Sequence, residues 1–256
     1  MTPYKDIIFG PIKSRRLGYS VGINLLPHRG KFCSFDCIYC ECGWNKDGLE
    51  DRVLPTIKEV ESATEALLSR LSAENTKVDN ITFSGNGEPT LHPQYPEIID
   101  IILKARDKYF PKAKVSSFSN STRLSNPQIK EALLKIDNAI LKLDSTDPEL
   151  VNLINKPCNN FDLQEVISNL KSFNGNFILQ TMFLRGEING IKFDNTLKKY
   201  TDPWIETVIK LHPKEVMLYT IERDTPAEKL EKVSVEEMEK IAEPLIKNNI
   251  NIQIKG

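Results

Sequence analysis

The chain has 256 residues, 40% of them apolar and 27% charged, with a formal net charge of −1. That is an ordinary soluble, globular balance, with a core large enough to need no staples, and one domain over residues 1–256 is expected. It excludes a strongly basic nucleic-acid footprint and an acidic solvating tail. The first sixteen residues lack the basic-then-apolar layout of a secretory leader, and no apolar run approaches bilayer-spanning length. A cytoplasmic, reducing compartment is expected. Disulfides are disfavoured there, so clustered cysteines read as metal ligands or redox thiols.

Short runs rich in β-branched and aromatic residues fall at Ser20–Leu26, Asn80–Ser84, Lys114–Ser119, Ala139–Leu143, Phe177–Leu184, Glu215–Ile221 and Asn251–Ile254. They read as strands buried on both faces. Helical signals lie between them. Thr56 with Glu59 forms a capping box ahead of Ile57, Val60, Leu67, Leu68 and Leu71 on one face. Asn126–Pro127 opens a helix carrying Ile129, Leu133 and Ile136, and Asp147–Pro148 and Asp202–Pro203 repeat that device. Asp162 with Glu165 starts another helix, and Ser234 with Glu237 the last. Such alternation implies an α/β fold of parallel strands with right-handed crossovers. A (β/α) barrel and a doubly wound open sheet both remain, six or seven units being too few for an eight-stranded barrel. In either, chemistry sits at the C-terminal strand ends.

The stretch FCSFDCIYCECGW, residues 32–44, follows the first strand. It holds four of the five cysteines, Cys33, Cys37, Cys40 and Cys42, as C-x3-C-x2-C-x-C. Three uses compete. Buried or redox thiols fit poorly with a loop of Ser, Asp, Glu and Gly. Zinc on four thiolates is cramped, because one residue separates Cys40 from Cys42 and zinc usually takes well-separated paired knuckles. An iron–sulfur cluster on Cys33, Cys37 and Cys40 keeps one iron open, with Cys42 as a neighbour.

C-x3-C-x2-C with the aromatic Tyr39 before its last cysteine resembles the signature of the radical S-adenosylmethionine superfamily. The resemblance implies a partial (β/α)6 barrel of parallel strands with outer helices and an active site at the C-terminal strand ends. It implies a [4Fe–4S] cluster on Cys33, Cys37 and Cys40, its open iron chelated by the methionine part of S-adenosylmethionine. One electron, from a donor such as flavodoxin or ferredoxin, cleaves the S–C5′ bond, and the 5′-deoxyadenosyl radical abstracts hydrogen from a substrate. The protein supplies orientation and excludes water.

Further matches follow in order. SGNGEPT, with Gly85, Asn86, Gly87 and Glu88, resembles the family's Gly-Gly-Glu motif, which receives the methionine amino group on backbone carbonyls; here Asn86 parts the glycines. Its plain alternative is an Asn-Gly turn. The resemblance makes Asn120 and Asp144 candidates for the ribose hydroxyls and Lys142 for the carboxylate. Asn120 is also at home in a capped turn. Lys142 and Asp144 alternate with Leu141 and Leu143 in a strand expected to be buried, where charges need partners. Gln180 and Met182 are further candidates for cofactor contact, Met182 being more often core filler. Arg185 and Arg223 end strands on the active face and are the catalytic candidates, with ion pairs to Glu187 or Glu222 as their structural alternative. Ser14, Arg15 and Arg16 are either a phosphate or carboxylate site or a solvated run. Cys158, alone in KPCNN, reads as structural.

The segments FGPIKSRRLGYSVGINLLP, SGNGEPTLHP, KLDS and TPAEKL resemble a subgroup of small radical enzymes, over nearly the whole chain from about Phe9. That subgroup is related to the tRNA wybutosine-synthesis enzymes and the glycyl-radical-enzyme activases. Three substrate classes follow. A tRNA nucleotide lacks a basic footprint here, and the leftover Cys42 and Cys158 are too few for a second cluster. A glycyl-radical partner or peptide suits a compact chain, and a small metabolite would sit over Arg185 and Arg223. The macromolecular options stand slightly ahead. The contrasting class is a zinc-stabilised binding module without catalysis.

Overall fold

A computed structural model describes residues 4–48, 50–158 and 161–256. An antiparallel hairpin of β1 (Ile8–Ser14) and β2 (Gly18–Ile23) comes first. The cysteine loop follows, then α1 (Ile57–Ala73), β3 (Asn80–Phe83), α2 (Tyr95–Tyr109) and β4 (Lys114–Ser119). Next come α3 (Pro127–Lys135), β5 (Asn138–Lys142), α4 (Pro148–Ile154), α5 (Leu163–Lys171) and β6 (Ile178–Met182). β7 (Leu184–Ile188) and β8 (Ile191–Asp194) lead to α6 (Lys198–Leu211) and β9 (Glu215–Tyr219). β10 (Leu230–Lys232), α7 (Val235–Lys247) and β11 (Ile252–Lys255) end the chain.

The main sheet has the order β1-β2-β3-β4-β5-β6-β9-β11. From β2 to β11 every neighbouring pair is parallel, each joined through at least one helix. The sheet curls into a half-barrel, the partial barrel that the resemblance implied, and the doubly wound open sheet falls away. The small antiparallel sheet β10-β7-β8 lies outside that expectation. No helix among the described residues is long and apolar enough to cross a membrane.

Register sorts the strand residues onto two unlike faces. Val21, Ile81, Val115, Leu141, Leu179, Val216 and Leu218 belong to the large core cluster, with Val60 and Leu68 of α1, Ile98, Ile99 and Ile102 of α2, and Met238 and Leu245 of α7. The opposite, concave face carries Ser20, Asn80, Thr82, Ser116, Asn138, Lys142 and Gln180, by alternation and cross-strand register. Strands apolar on both faces are therefore not what forms. The concave polar groups pair with one another: Ser20 Oγ lies 2.6 Å from Thr82 Oγ1, and Asn138 Nδ2 donates to Ser116 Oγ at 3.0 Å. An apolar patch of Ile140, Ile178 and Met217, with Leu17 and Phe118 against it, interrupts them.

Local signals fix most helix starts. Both capping boxes form, at Thr56/Glu59 and Ser234/Glu237, and Asn126, Asp147 and Asp162 cap as expected. Two starts differ. α6 begins at Lys198 and carries Pro203 inside it, so Asp202–Pro203 does not open a helix. α2, which no cap announced, starts after Gln94, whose side chain makes no capping bond. The expected strand Phe177–Leu184 divides at Phe183, whose N–H donates to Tyr219 O, and the chain passes into β7 of the small sheet.

Candidate active site at the C-terminal strand ends

The cysteine loop is docked by backbone bonds at both ends. Phe32 N donates to Asn86 O at 2.8 Å and Glu88 N to Phe32 O at 3.1 Å, beside the β3 end. Further on, Asp36 N donates to Asn155 O, Ile38 N to Ile154 O and Cys158 N to Ser34 O, which fixes the loop to the end of α4. Asn45 Nδ2 donates to Cys33 O and Phe35 O, and its Oδ1 accepts from Cys33 N. Beneath lies a second apolar cluster containing Phe35, Ile38, Leu150, Ile154, Met182 and Leu184.

The glycines after β3 allow close approach of one part of the chain to another. A Cβ at Gly87, where φ is +138°, would sit 1.9 Å from Phe32 O, and one at Gly85 would meet Asn24 Oδ1 at 2.4 Å. Gly87→Ala is expected to destabilise the protein by about 3 kcal/mol or more, since backbone strain and a backbone clash add. Denaturant unfolding measures it, and a loss under about 1 kcal/mol would show that the loop docks otherwise.

The thiols have donors around them. Cys33 Sγ accepts from Phe35 N and from Asn120 Nδ2, both at 3.4 Å, and Cys37 Sγ from Asn155 Nδ2 at 3.6 Å. Cys42 Sγ lies 3.1 Å from Gly85 O and also within hydrogen-bonding reach of Cys40; the hydrogen bond between the two thiols lowers the pKa of Cys40 and raises that of Cys42. Burial pushes the thiols of Cys33 and Cys37 up. All five cysteines are free, and Cys158 is exposed beside the loop rather than packed in a core. Lys31 is 1% exposed, with its Nζ 3.2 Å from Asp36 Oδ1. Burial opposes its charge, yet Cys40, Cys33, Cys37 and Asp36 together hold its pKa above the usual lysine range.

No set of three or more His, Cys, Asp and Glu side chains among the described residues is gathered to hold one metal ion. A single zinc with sulfurs at 2.3 Å needs those sulfurs about 3.8 Å apart, whereas a cluster bound one thiolate per iron spreads them. Three thiolate-forming side chains with donors and a buried cation fit such a cluster.

Next to the thiols lies a buried polar network. Tyr39 donates its hydroxyl to Asp144 Oδ2. Lys142 Nζ donates to Tyr39 Oη at 2.7 Å, and to Asp144 Oδ2 and Tyr219 Oη at 3.3 Å. Asn155 Nδ2 reaches Tyr39 Oη at 2.9 Å and Asp144 Oδ2 at 2.7 Å, and Met182 N donates to Asp144 Oδ1 at 3.0 Å. The partners that Lys142 and Asp144 needed are thus largely each other and Tyr39. Glu88 is buried, accepting from Asn120 N at 2.6 Å and from Thr90, and burial raises its pKa. Asn120 Nδ2 also donates to Ser34 Oγ at 2.8 Å. Gln180 stands beside Lys142 in register.

Arg185 and Arg223 lie away from this network. Arg185 pairs with Asp194 and Glu237 beside the small sheet, and the exposed Arg223 pairs with Glu41 of the cysteine loop. The anticipated partners are engaged elsewhere, Glu187 with Lys229 and Glu222 with Arg15. Asn155 and Lys31 had no sequence signal, because their partners are set by docking of the loop.

A three-thiol loop after the first parallel strand, set at the C-terminal ends of a curled parallel sheet, defines a class of half-barrel proteins. Residues 29–199 match the Radical SAM superfamily, and the chain belongs to it. It is 32% identical over 233 residues to the UPF0026 protein MJ1312 of Methanocaldococcus jannaschii, covering 87% of this chain and 65% of that one. It is also 32% identical over 253 residues to a GTPase Obg of Brachyspira hyodysenteriae, covering 96% of this chain and 34% of that one. The chain thus spans about a third of the Brachyspira relative and about two thirds of the Methanocaldococcus one. Among solved structures, a radical SAM methyltransferase from Sphaerobacter thermophilus superposes with a TM-score of 0.66 at 15% identity, over 92% of this chain and 65% of that one. An archaeal TYW1 gives 0.53 at 14%, over 90% and 72%. These likenesses are of fold.

Proposed function

We propose that the chain is a radical SAM enzyme in which Cys33, Cys37 and Cys40 hold a [4Fe–4S] cluster and the strand ends around them hold S-adenosylmethionine. The observation that supports this most is one loop, docked at the C-terminal mouth of the half-barrel, that carries three thiols with side-chain donors and a buried ammonium beside them. Loaded with an electron from a flavodoxin- or ferredoxin-type donor, the cluster supplies reductive cleavage of S-adenosylmethionine and hence hydrogen abstraction from a substrate. The chain's residues bind, orient and shield. Asn120 and Asn155 donate to ligand sulfurs and Lys31 offsets their charge. In the Gly85–Glu88 segment Asn86 O accepts from Phe32 N and Gly85 O from Cys42, so Gly87 O would receive the cosubstrate's amino group, and Glu88 braces that segment. Asn120 and Asp144 serve the ribose hydroxyls and Lys142 the carboxylate. Tyr39, Gln180 and Met182 complete the wall. Arg185, held by two carboxylates, braces the small sheet, and Arg223 stands on the outer rim.

Anaerobically reconstituted protein is expected to carry about four iron and four sulfide per chain and to release 5′-deoxyadenosine on reduction with S-adenosylmethionine. Cys37→Ala removes both, while Cys158→Ser keeps both. Stoichiometric zinc without cleavage in the wild-type protein would instead make this a metal-stabilised module.

A further inference from the structure

The tip of the β1–β2 hairpin sends its two arginines to different places. Ser14 Oγ accepts from Arg16 N at 3.3 Å and Leu17 N at 3.2 Å, an ST-type turn that fixes the tip. Arg15 is half exposed, pairing with Glu222 and donating from Nη1 to Gly256 O, beyond the end of β11 at the far edge of the sheet. Arg16 goes inward. Its guanidinium lies 4.9 Å from the ring centroid of Phe118 on β4 and 5.0 Å from that of Tyr219 on β9. Two strands, β5 and β6, separate those rings in the sheet, about 14 Å at about 4.8 Å per strand. One guanidinium touches both only from inside the curl.

There one of its nitrogens lacks what a buried donor needs. Among the described residues Arg16 Nη1 is buried without a hydrogen-bond partner. Among the described residues Arg16 joins no ion pair, although Arg15 beside it does. Burial lowers its pKa. On the same face Gln253, in register with Met217, has a buried Oε1 that is also unpartnered. Leu17, Phe118, Ile140, Ile178 and Met217 pack together as an apolar patch beneath. Tyr219, under the guanidinium, accepts from Lys142 through its hydroxyl, which ties this pocket to the network beside the thiols.

We propose that Arg16 is the anion-binding residue of the substrate site, taking the carboxylate or phosphate group of a small molecule whose carbon skeleton lies along Phe118, Tyr219 and the patch below. A planar guanidinium matches such groups with two parallel donors, and aromatic faces hold its own plane in place. The hairpin tip, stapled to Glu222 and Gly256, covers the guanidinium from outside. A guanidinium covered in this way suits a compact molecule better than a nucleic-acid strand or a folded protein surface. The small-metabolite class thereby moves ahead of the macromolecular ones, with Arg16 in the role first given to Arg185 and Arg223. The inference rests on the proposed radical SAM reaction for the chemistry that follows binding.

The test uses anaerobically reconstituted protein with S-adenosylmethionine. Wild type, Arg16→Met and Arg16→Lys are titrated calorimetrically with sodium succinate and with inorganic phosphate, against sodium chloride of matched ionic strength. At least one of the two anions should bind wild type, about ten-fold or more weakly to Arg16→Met, and Arg16→Lys should recover part of the loss. Succinate against phosphate tells which acid group is preferred. Without added anion, Arg16→Met should melt no lower than wild type, because a buried donor without a hydrogen-bond partner is removed while the side chain still packs on Phe118 and Tyr219. Its iron content and S-adenosylmethionine affinity should be unchanged. The proposal is overturned if neither anion binds wild type or if Arg16→Met binds them equally. A fall in S-adenosylmethionine affinity would overturn it too, by giving the guanidinium to the cosubstrate. So would a lower melting temperature with anion binding intact, which makes Arg16 a structural tie. Failure of the proposed reaction reads separately, as wild-type protein without a cluster.

Discussion

Replacing Lys142 with methionine is expected to destabilise the protein by about 3–5 kcal/mol, the usual consequence of leaving a buried charge without its partner. The Asp144 side chain is fully buried, and Lys142 Nζ stands 3.3 Å from it. Tyr39, Asn155 and the Met182 N–H remain as donors, but no cation does. Burial opposes the charge on Lys142, yet Asp144, Tyr219 and Cys37 outweigh it and raise its pKa above the usual lysine range. A raised lysine contributes stability that is fully present below the unfolded value near 10.4 and lost only as pH climbs through the folded one. The titration of Lys142 itself therefore adds no difference between about pH 6 and pH 9. Asp144→Asn in the same background removes the stranded charge, and the double variant should lose at least about 2 kcal/mol less than the two single losses added. Denaturant unfolding of the four proteins decides it. A single-variant loss below about 1 kcal/mol would mean that water reaches Asp144 and that the network is no closed unit.

That network also marks where sequence reading stops. The three-thiol loop of Cys33, Cys37 and Cys40 was legible because its spacing is local, and the capping boxes at Thr56 and Ser234 for the same reason. α2 and α6 begin after Gln94 and Leu197, neither of which makes a side-chain cap, so their starts carried no signature. The hairpin of β7 and β8 did carry one: Asn189 and Gly190, at φ of 51° and 80°, form the Asn-Gly turn between Ile188 and Ile191. The polar concave face was written in the alternation of Asn80, Thr82, Ser116, Asn138, Lys142 and Asp144, which length and apolarity alone conceal. Asn155 contacts Cys37 across 118 positions and Arg16 reaches Tyr219 across the sheet, and no local pattern encodes such meetings. Arg185 lies inside β7 and Arg223 in the loop after β9, and their carboxylates come from β8, α7 and the cysteine loop, elements whose approach no local pattern announces.

Lys31→Met should act on the same loop from the other side. Lys31 is the most deeply buried lysine beside the thiols, and Asp36 Oδ1, its partner, also accepts from Asn45 N at 2.8 Å. Asp36 is 26% exposed and can rehydrate, so the loss of stability before loading is expected to be modest, about 1–2 kcal/mol. The larger effect falls on the loaded protein. Three thiolates in a buried loop would lose the ammonium that offsets them, and net charge is one of the protein's levers on cluster potential. Iron and sulfide recovered per chain should fall, and the midpoint potential from an EPR-monitored titration should move negative by on the order of 50–100 mV. Lys31→Arg keeps the charge and should return the potential toward wild type even where its bulk lowers stability. The separation matters, because a variant that only loosened the loop would lose iron without moving the potential of what remained. An unmoved potential at full iron content would leave Lys31 as a partner for Asp36 alone, and the offset of thiolate charge would then fall to the side-chain amides of Asn120 and Asn155.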